Sequence, residues 1–149
     1  MISLALVMAL AMPADSGLSI PLPCMTVTSP YGYRTHPLTG RWLFHAGVDL
    51  RAHRDTVYSA LPGTIGQVGH DAGLGRYIRI NHGQLTTVYG HLSVIGVHPG
   101  QSVHAGQPIA ITGTTGAVTG EHLHFEVHLN GTPINPQRLF TLIGMEIGK

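Results

Sequence analysis

The sequence predicts an all-β fold, a compact antiparallel β-sheet domain. Three observations predict it. Twenty Gly and ten Pro in 149 residues demand many turns. From residue 43 onward, short apolar or alternating stretches are separated by Gly-containing turns. No stretch keeps a 3.6-residue apolar period over helical length. Hydrophobic residues make up 43% of the chain and charged residues 10%, enough apolar material for one folded core and too much for disorder.

The expected elements follow in order. Residues 13–30 are rich in Pro and Ser and read as a linker or extended lead-in. Strands are expected at Gly47–Leu50, Gly63–Val68, Arg76–Ile80, Leu85–Tyr89, Pro108–Thr112 and His122–Leu129. A short helical turn is expected near Pro136–Leu142. No low-complexity tract and no internal repeat is expected. The clearest strand is the last. Alternation puts Leu123, Phe125, Val127 and Leu129 on a core face, and His122, His124, Glu126 and His128 on the other.

The domain plan has two parts. Residues 1–27 form an apolar N-terminal arm or signal-like segment plus linker, and residues 28–149 form the folded domain. The run Ile2 to Met12 is too short for a bilayer-spanning helix. Its length suits a signal-peptide core, and Ala9-Leu10-Ala11 resembles a cleavage site, but no Lys or Arg precedes it. The alternative is an arm that packs on the domain or on a larger assembly.

Composition excludes several classes. A formal net charge of +1 without a Lys/Arg run gives no sign of nucleic-acid binding. The single Cys24 excludes an internal disulfide and a multi-Cys zinc site. Eleven His are the anomaly. His45 and Asp49 are four apart in His45-Ala-Gly-Val-Asp49, with a bend available at Gly47. His122 and His124 are two apart, which on a strand aims both one way with Cβ atoms about 7 Å apart. That is wide for two ligands of one metal, but suits one ligand and one neighbour acting on water. Two imidazoles and one carboxylate suit Zn²⁺ and leave a fourth position for water, the pattern of a catalytic site. Spacing alone leaves open which of His122 and His124 binds. The helical His-Glu-x-x-His motif is absent.

Four segments in one order carry a resemblance. They are Tyr31-Gly-Tyr-Arg-Thr-His-Pro-Leu-Thr-Gly40, His45-Ala-Gly-Val-Asp49, Thr87-Val-Tyr-Gly-His-Leu-Ser93 and His122-Leu-His-Phe-Glu-Val127. Together they resemble the lysostaphin/LytM-type zinc metallopeptidases, over about residues 28 to 138. The resemblance implies a β-sheet domain with a loop-walled substrate groove, related to the duplicated-hybrid or barrel-sandwich type. It implies one Zn²⁺ per chain on His45, Asp49 and His124, with His91 and His122 catalytic. Tyr31, Tyr33 and Arg34 fall in the segment that forms a groove wall and contacts substrate. Glu126 either orients a histidine from behind the metal ligands or is a solvated strand carboxylate.

The implied activity is hydrolysis of peptide cross-links in bacterial peptidoglycan. The segment from Tyr31 to Gly40 is more similar to members that cut D-alanyl–diaminopimelate links than to glycyl-glycine cutters. The rival expectation is a non-catalytic domain of the same fold that binds wall or activates another hydrolase. The implied place is the cell envelope, periplasmic or extracellular, or a virion in which a phage tail component opens the wall. Among the other histidines, His36 is expected to cap a turn and His82 to sit in a hairpin turn. His53, His70, His98, His104 and His128 are not expected to bind metal. The stretch from Arg51 to Asp55 stands where the family has an Ala-Pro-rich run. Pro99 to Ile109 resembles the hammerhead turns of biotinyl/lipoyl carriers, but without an attachment Lys it reads as scaffold.

Overall fold

The computed structural model describes Ser3, residues 17–142 and residues 144–147. Apart from Ser3, the apolar run Ile2 to Met12 and the cleavage-like Ala9-Leu10-Ala11 lie outside the described residues.

Among the described residues, twelve strands and one short helix follow one another. The strands are β1 (Val27–Ser29), β2 (Gly32–Thr35), β3 (Trp42–His45), β4 (Val48–Arg51), β5 (Thr56–Tyr58) and β6 (Gly63–Asp71). They continue as β7 (Gly75–His82), β8 (Leu85–Ile95), β9 (Ser102–Val103), β10 (Pro108–Thr112), β11 (His122–Leu129) and β12 (Thr132–Ile134), and the helix α1 is Gln137–Thr141. All described pairings are antiparallel. The main sheet runs β1-β4-β11-β8-β7-β6-β9, with β12 on β11 and β10 bridging β5 and β8. The all-β expectation holds, as does each strand foreseen from alternation.

The core lies on one face of the sheet. Leu123, Phe125 and Val127 of β11 are fully buried, together with Ile78, Ile80, Leu85 and Tyr89. The Tyr89 and Phe125 rings sit 5.3 Å apart, and the Tyr89 hydroxyl accepts from the Ala60 N–H at 2.9 Å. Phe140 of α1 closes this core against Phe125. The hairpin β11–β12 turns on Asn130-Gly131, both at positive φ, the backbone that a two-residue primed turn needs.

Residues before 28 also belong to this packing. The Ser19 N–H donates to Ala60, the Tyr58 N–H to Pro21, and the Arg51 N–H to Thr26. Leu22 is fully buried, so the core draws on the extended lead-in.

Three sequence expectations change. The stretch after Tyr31, read as a loop, is a β2–β3 hairpin that forms its own two-stranded sheet. It was illegible as strand because Tyr33, Trp42, Leu43 and Phe44 are all exposed and give no one-sided alternation. His82 is not in a turn. It ends β7, is buried, and bridges the Pro62 carbonyl at 2.7 Å and the Thr87 hydroxyl at 2.8 Å. A short repeat is present after all. Val97-His-Pro-Gly-Gln101 and Val103-His-Ala-Gly-Gln107 make the same turn, the Gln side chain accepting from the His N–H at 3.2 and 3.0 Å.

Candidate metal centre

Asp49 and His124 are register partners across β4 and β11, so the sheet itself sets them side by side. His45 reaches them from another element. It ends β3 in the separate hairpin, and Ala46-Gly47 carries the chain across to β4. Gly47 is required there, because a Cβ would lie 2.4 Å from the Phe125 carbonyl oxygen. His45 and Asp49 therefore do not share one strand; a bend at Gly47 joins two sheets.

The three side chains converge on one point. His45 Nε2 is 3.1 Å from Asp49 Oδ1 and 3.2 Å from His124 Nδ1, and His124 Nδ1 is 3.0 Å from Asp49 Oδ1. All three residues are buried. Donors about 2.0–2.1 Å from a tetrahedral zinc would be about 3.3 Å from each other, close to this triangle. The tautomers agree. His45 Nδ1–H donates to the Pro30 carbonyl at 2.8 Å, and His124 Nε2–H to Glu126 Oε1 at 2.8 Å. In neutral form both rings thus turn a lone pair towards the carboxylate. Three acceptors this close repel unless positive charge sits among them, which is what a divalent cation supplies.

The electrostatics show the same demand. Burial pushes the Asp49 carboxyl up, but hydrogen bonds to His124 and His45 outweigh it and hold it well below the usual carboxylate range. Burial pushes His124 down, but its bonds to Asp49 and Glu126 lift it to about 9. Glu126 is raised by burial and lowered further by His124 and His128, so it stays ionised. Its second oxygen is 2.5 Å from His128 Nε2. Glu126 is thus hydrogen-bonded to both His124 and His128 on this face of β11.

Two more imidazoles flank the triangle. His122 Nδ1–H donates to Gly120 at 2.9 Å, leaving Nε2 3.5 Å from Asp49 Oδ1. His91 Nδ1–H donates to Thr115 at 2.8 Å, and its ring centroid is 4.7 Å from that of His122. His91 has φ 61, inside a β8 segment whose pairing with β7 slips between Tyr89 and Leu92. The bulge swings His91 out of the ladder and into the site, while its N–H bonds Leu74. Burial pushes the His91 imidazolium down to about 4, against the pull of its Thr115 bond. His91 is therefore neutral near pH 7.

A groove of about 680 Å³ opens over these residues. The hairpin gives one wall through Arg34, Leu43 and Phe44; Asp71, Gly73, Leu74 and residues 117–119 give the other. Of the three expected groove residues, only Arg34 lines it. Tyr31 turns away, its hydroxyl donating to Pro133 at 3.2 Å and its ring against Phe44. Tyr33 is on the outer face of the hairpin, stacked on Trp42. The carbonyls of Pro30 and Thr115, which fix two imidazoles, were missed; backbone partners leave no mark in side-chain spacing. His128, not expected to bind metal, lies outside the triangle and bonds Glu126. His36 caps a turn as expected, accepting from the Leu38 N–H at 3.2 Å.

Known proteins resemble this chain. The profile of peptidase family M23 matches residues 43–136. A protein of Neisseria meningitidis serogroup B, named DD-carboxypeptidase/endopeptidase Mpg, is 39% identical over 78% of this chain and 27% of its own length. A solved structure from Vibrio cholerae, described as a zinc-containing peptidase, superposes with TM-score 0.73 at 36% identity, over 80% of this chain and 39% of that one. The catalytic domain of the peptidase lysostaphin from Staphylococcus simulans superposes with TM-score 0.71 at 30% identity, over 78% of this chain and 92% of that one. The chain spans about a quarter of the length of the curated relatives it matches.

Proposed function

The chain belongs to peptidase family M23, and on that premise we propose that it is a zinc endopeptidase that hydrolyses peptide cross-links of bacterial peptidoglycan, of the D-alanyl–diaminopimelate kind. One observation carries the proposal: His45 Nε2, Asp49 Oδ1 and His124 Nδ1 meet within 3.2 Å in a groove, with two more imidazoles beside them. The relative named a DD-carboxypeptidase/endopeptidase supports the choice of link.

His45, Asp49 and His124 would hold one zinc ion per chain. When bound, zinc is a Lewis acid that acidifies water and polarises a carbonyl oxygen. The chain's own groups do the rest. Pro30 and Glu126 keep the two ligand rings in the required tautomer and orientation. His91 and His122 commit Nδ1–H to backbone carbonyls and offer Nε2 to the groove. From there one imidazole takes the proton of the attacking water. The other, protonated on both nitrogens, donates to the carbonyl oxygen as it gains charge.

Such a substrate places the protein at the bacterial envelope, on the periplasmic or extracellular side, or in a virion as part of a phage tail. Attachment to a larger assembly through the N-terminal arm fits either setting. No helix among the described residues is long and apolar enough to cross a membrane.

The test is release of muropeptides from diaminopimelate-type and glycine-bridged peptidoglycan by the zinc-loaded protein, followed by chromatography. New amine termini at D-alanyl–diaminopimelate links are expected. Release of no muropeptide from either wall type overturns the proposal. His45→Ala, Asp49→Ala and His124→Ala should lose the metal. His91→Ala and His122→Ala should keep most of it and lose turnover by about 10²- to 10⁴-fold. Equal zinc loss in all five variants overturns the division of roles.

A further inference from the structure

Arg34 is the one Arg or Lys among the described residues that line the groove, and its guanidinium is under-used. It extends from β2 into the groove wall with its side chain 19% exposed. Its Nε is buried with no hydrogen-bond partner. Its NH2 is 3.8 Å from Asp49 Oδ2, an ion-pair distance beyond hydrogen-bond reach. No guanidinium hydrogen bond to any described residue is present. A buried or half-buried donor without a partner is costly, and Arg is rarely left so.

The other charged groups of the groove are already committed. Asp49 Oδ1 faces the metal triangle, Glu126 bonds His124 and His128, and Asp71 accepts from the Gly73 and Leu74 N–H groups. Once a cation neutralises Asp49, the charge of Arg34 has no partner in the wall. A planar fork of free donors beside a hydrolytic centre matches one ligand chemistry above others, a substrate carboxylate held by charge-assisted bonds.

Resting on the function proposed above, we infer that Arg34 receives a free carboxylate of the substrate, the one on the carbon that bears the scissile nitrogen. In a D-alanyl–diaminopimelate link that carboxylate is two bonds from the bond to be cut. Arg34 stands one ion-pair length from a ligand of the metal, so it can reach a carboxylate this near the reaction. A glycyl-glycine bridge carries a further amide at that position and gives the guanidinium no partner. Arg34 is thus a determinant of which cross-link is cut.

The experiment uses the zinc-loaded protein and two synthetic cross-linked peptides, identical except that this carboxylate is free in one and amidated in the other. The native protein should cut the free form with kcat/KM about 10- to 100-fold higher, the range of one charged hydrogen bond. Arg34→Met should lose that factor on the free form, change little on the amide, and still bind one zinc. Arg34→Lys should keep part of the preference, because charge remains while the fork is lost. Equal cleavage of both peptides by the native protein overturns the inference and leaves the proposed function standing. Zinc loss in Arg34→Met also overturns it, since the guanidinium would then act by orienting Asp49. Cleavage of neither peptide removes the proposed function and this inference with it.

Discussion

Replacing Glu126 with Ala should weaken zinc binding although Glu126 would not touch the metal. Its side chain is 12% exposed and accepts from His124 at 2.8 Å and from His128 at 2.5 Å. The two histidines would not suffer equally. His128 is 13% exposed and ends the face, so water can replace the lost oxygen; His124 is 9% exposed and boxed in by Asp49 and His45. Without Glu126, the His124 proton gains nothing on Nε2. It is better placed on Nδ1, where it bonds Asp49, and a metal must then displace it. Loss of such a supporting partner costs about 10- to 100-fold in metal affinity, or about 1.4–2.7 kcal/mol. Competition against a chromophoric zinc chelator at fixed pH measures it. Glu126→Gln, whose amide oxygen still accepts from His124, should fall between native and Ala. Zinc affinity within two-fold of native in a folded Glu126→Ala, or a larger loss in Gln than in Ala, refutes this account of how His124 is held.

Other consequences follow from packing and burial. Gly47→Ala places a Cβ 2.4 Å from the Phe125 carbonyl oxygen, so β4 or β11 must shift; a loss of at least about 1–3 kcal/mol, with weaker zinc binding, is expected from thermal melts and chelator competition, and a native melting temperature would refute it. Leu22→Ala should cost about 2–5 kcal/mol in denaturant unfolding, because Leu22 is fully buried; a loss near zero would mean the lead-in is not part of the folded unit. His82 is buried, and burial holds its imidazolium below the ordinary value of 6.5 despite the Pro62 bond. The unfolded chain then binds the proton more readily, so stability is full above pH 6.5 and falls as pH drops below it. His82→Gln should flatten that fall between pH 6.5 and 5 in urea titrations; an unchanged slope would remove His82 as a source of acid sensitivity.

How far the fold was legible depended on which faces were buried. β11 announces itself, because Leu123, Phe125 and Val127 meet the core while His122, His124 and Glu126 line the groove. β7 and β8 are legible for the same reason, although β8 continues past the alternating stretch to Ile95. The β2–β3 hairpin was not legible as strand, since its aromatic residues lie on an exposed face with no core to give them a period. β1, β5, β9 and β12 have three residues or fewer, too short for alternation to appear. Lead-in residues such as Leu22 looked like linker because Pro and Ser dominate the composition around them, yet one fully buried Leu ties the segment down.

The site divides along the same physical line. Side chains that converge from neighbouring strands left a spacing signal: Asp49 and His124 are register partners, and His122 and Glu126 follow from period two. Convergence across sheets left much less. His45 comes from the hairpin and His91 from a bulge with left-handed backbone, and no period in the chain foretells either position. The four-residue spacing to Asp49 still marked His45 as a candidate; His91 entered only through the order of the four motifs. Even so, motif order could not separate the three hairpin residues Tyr31, Tyr33 and Arg34. Their sorting follows from pairing: Arg34 faces Leu43 across the hairpin and points with it into the groove, while Tyr33 pairs with Phe44 and stacks on Trp42 outside. A one-residue slip of β2 on β3 would exchange them, putting an aromatic ring beside Asp49 and the guanidinium in solvent. The choice of groove residue thus rests on hairpin register, a property of two strands together that neither strand's sequence displays alone.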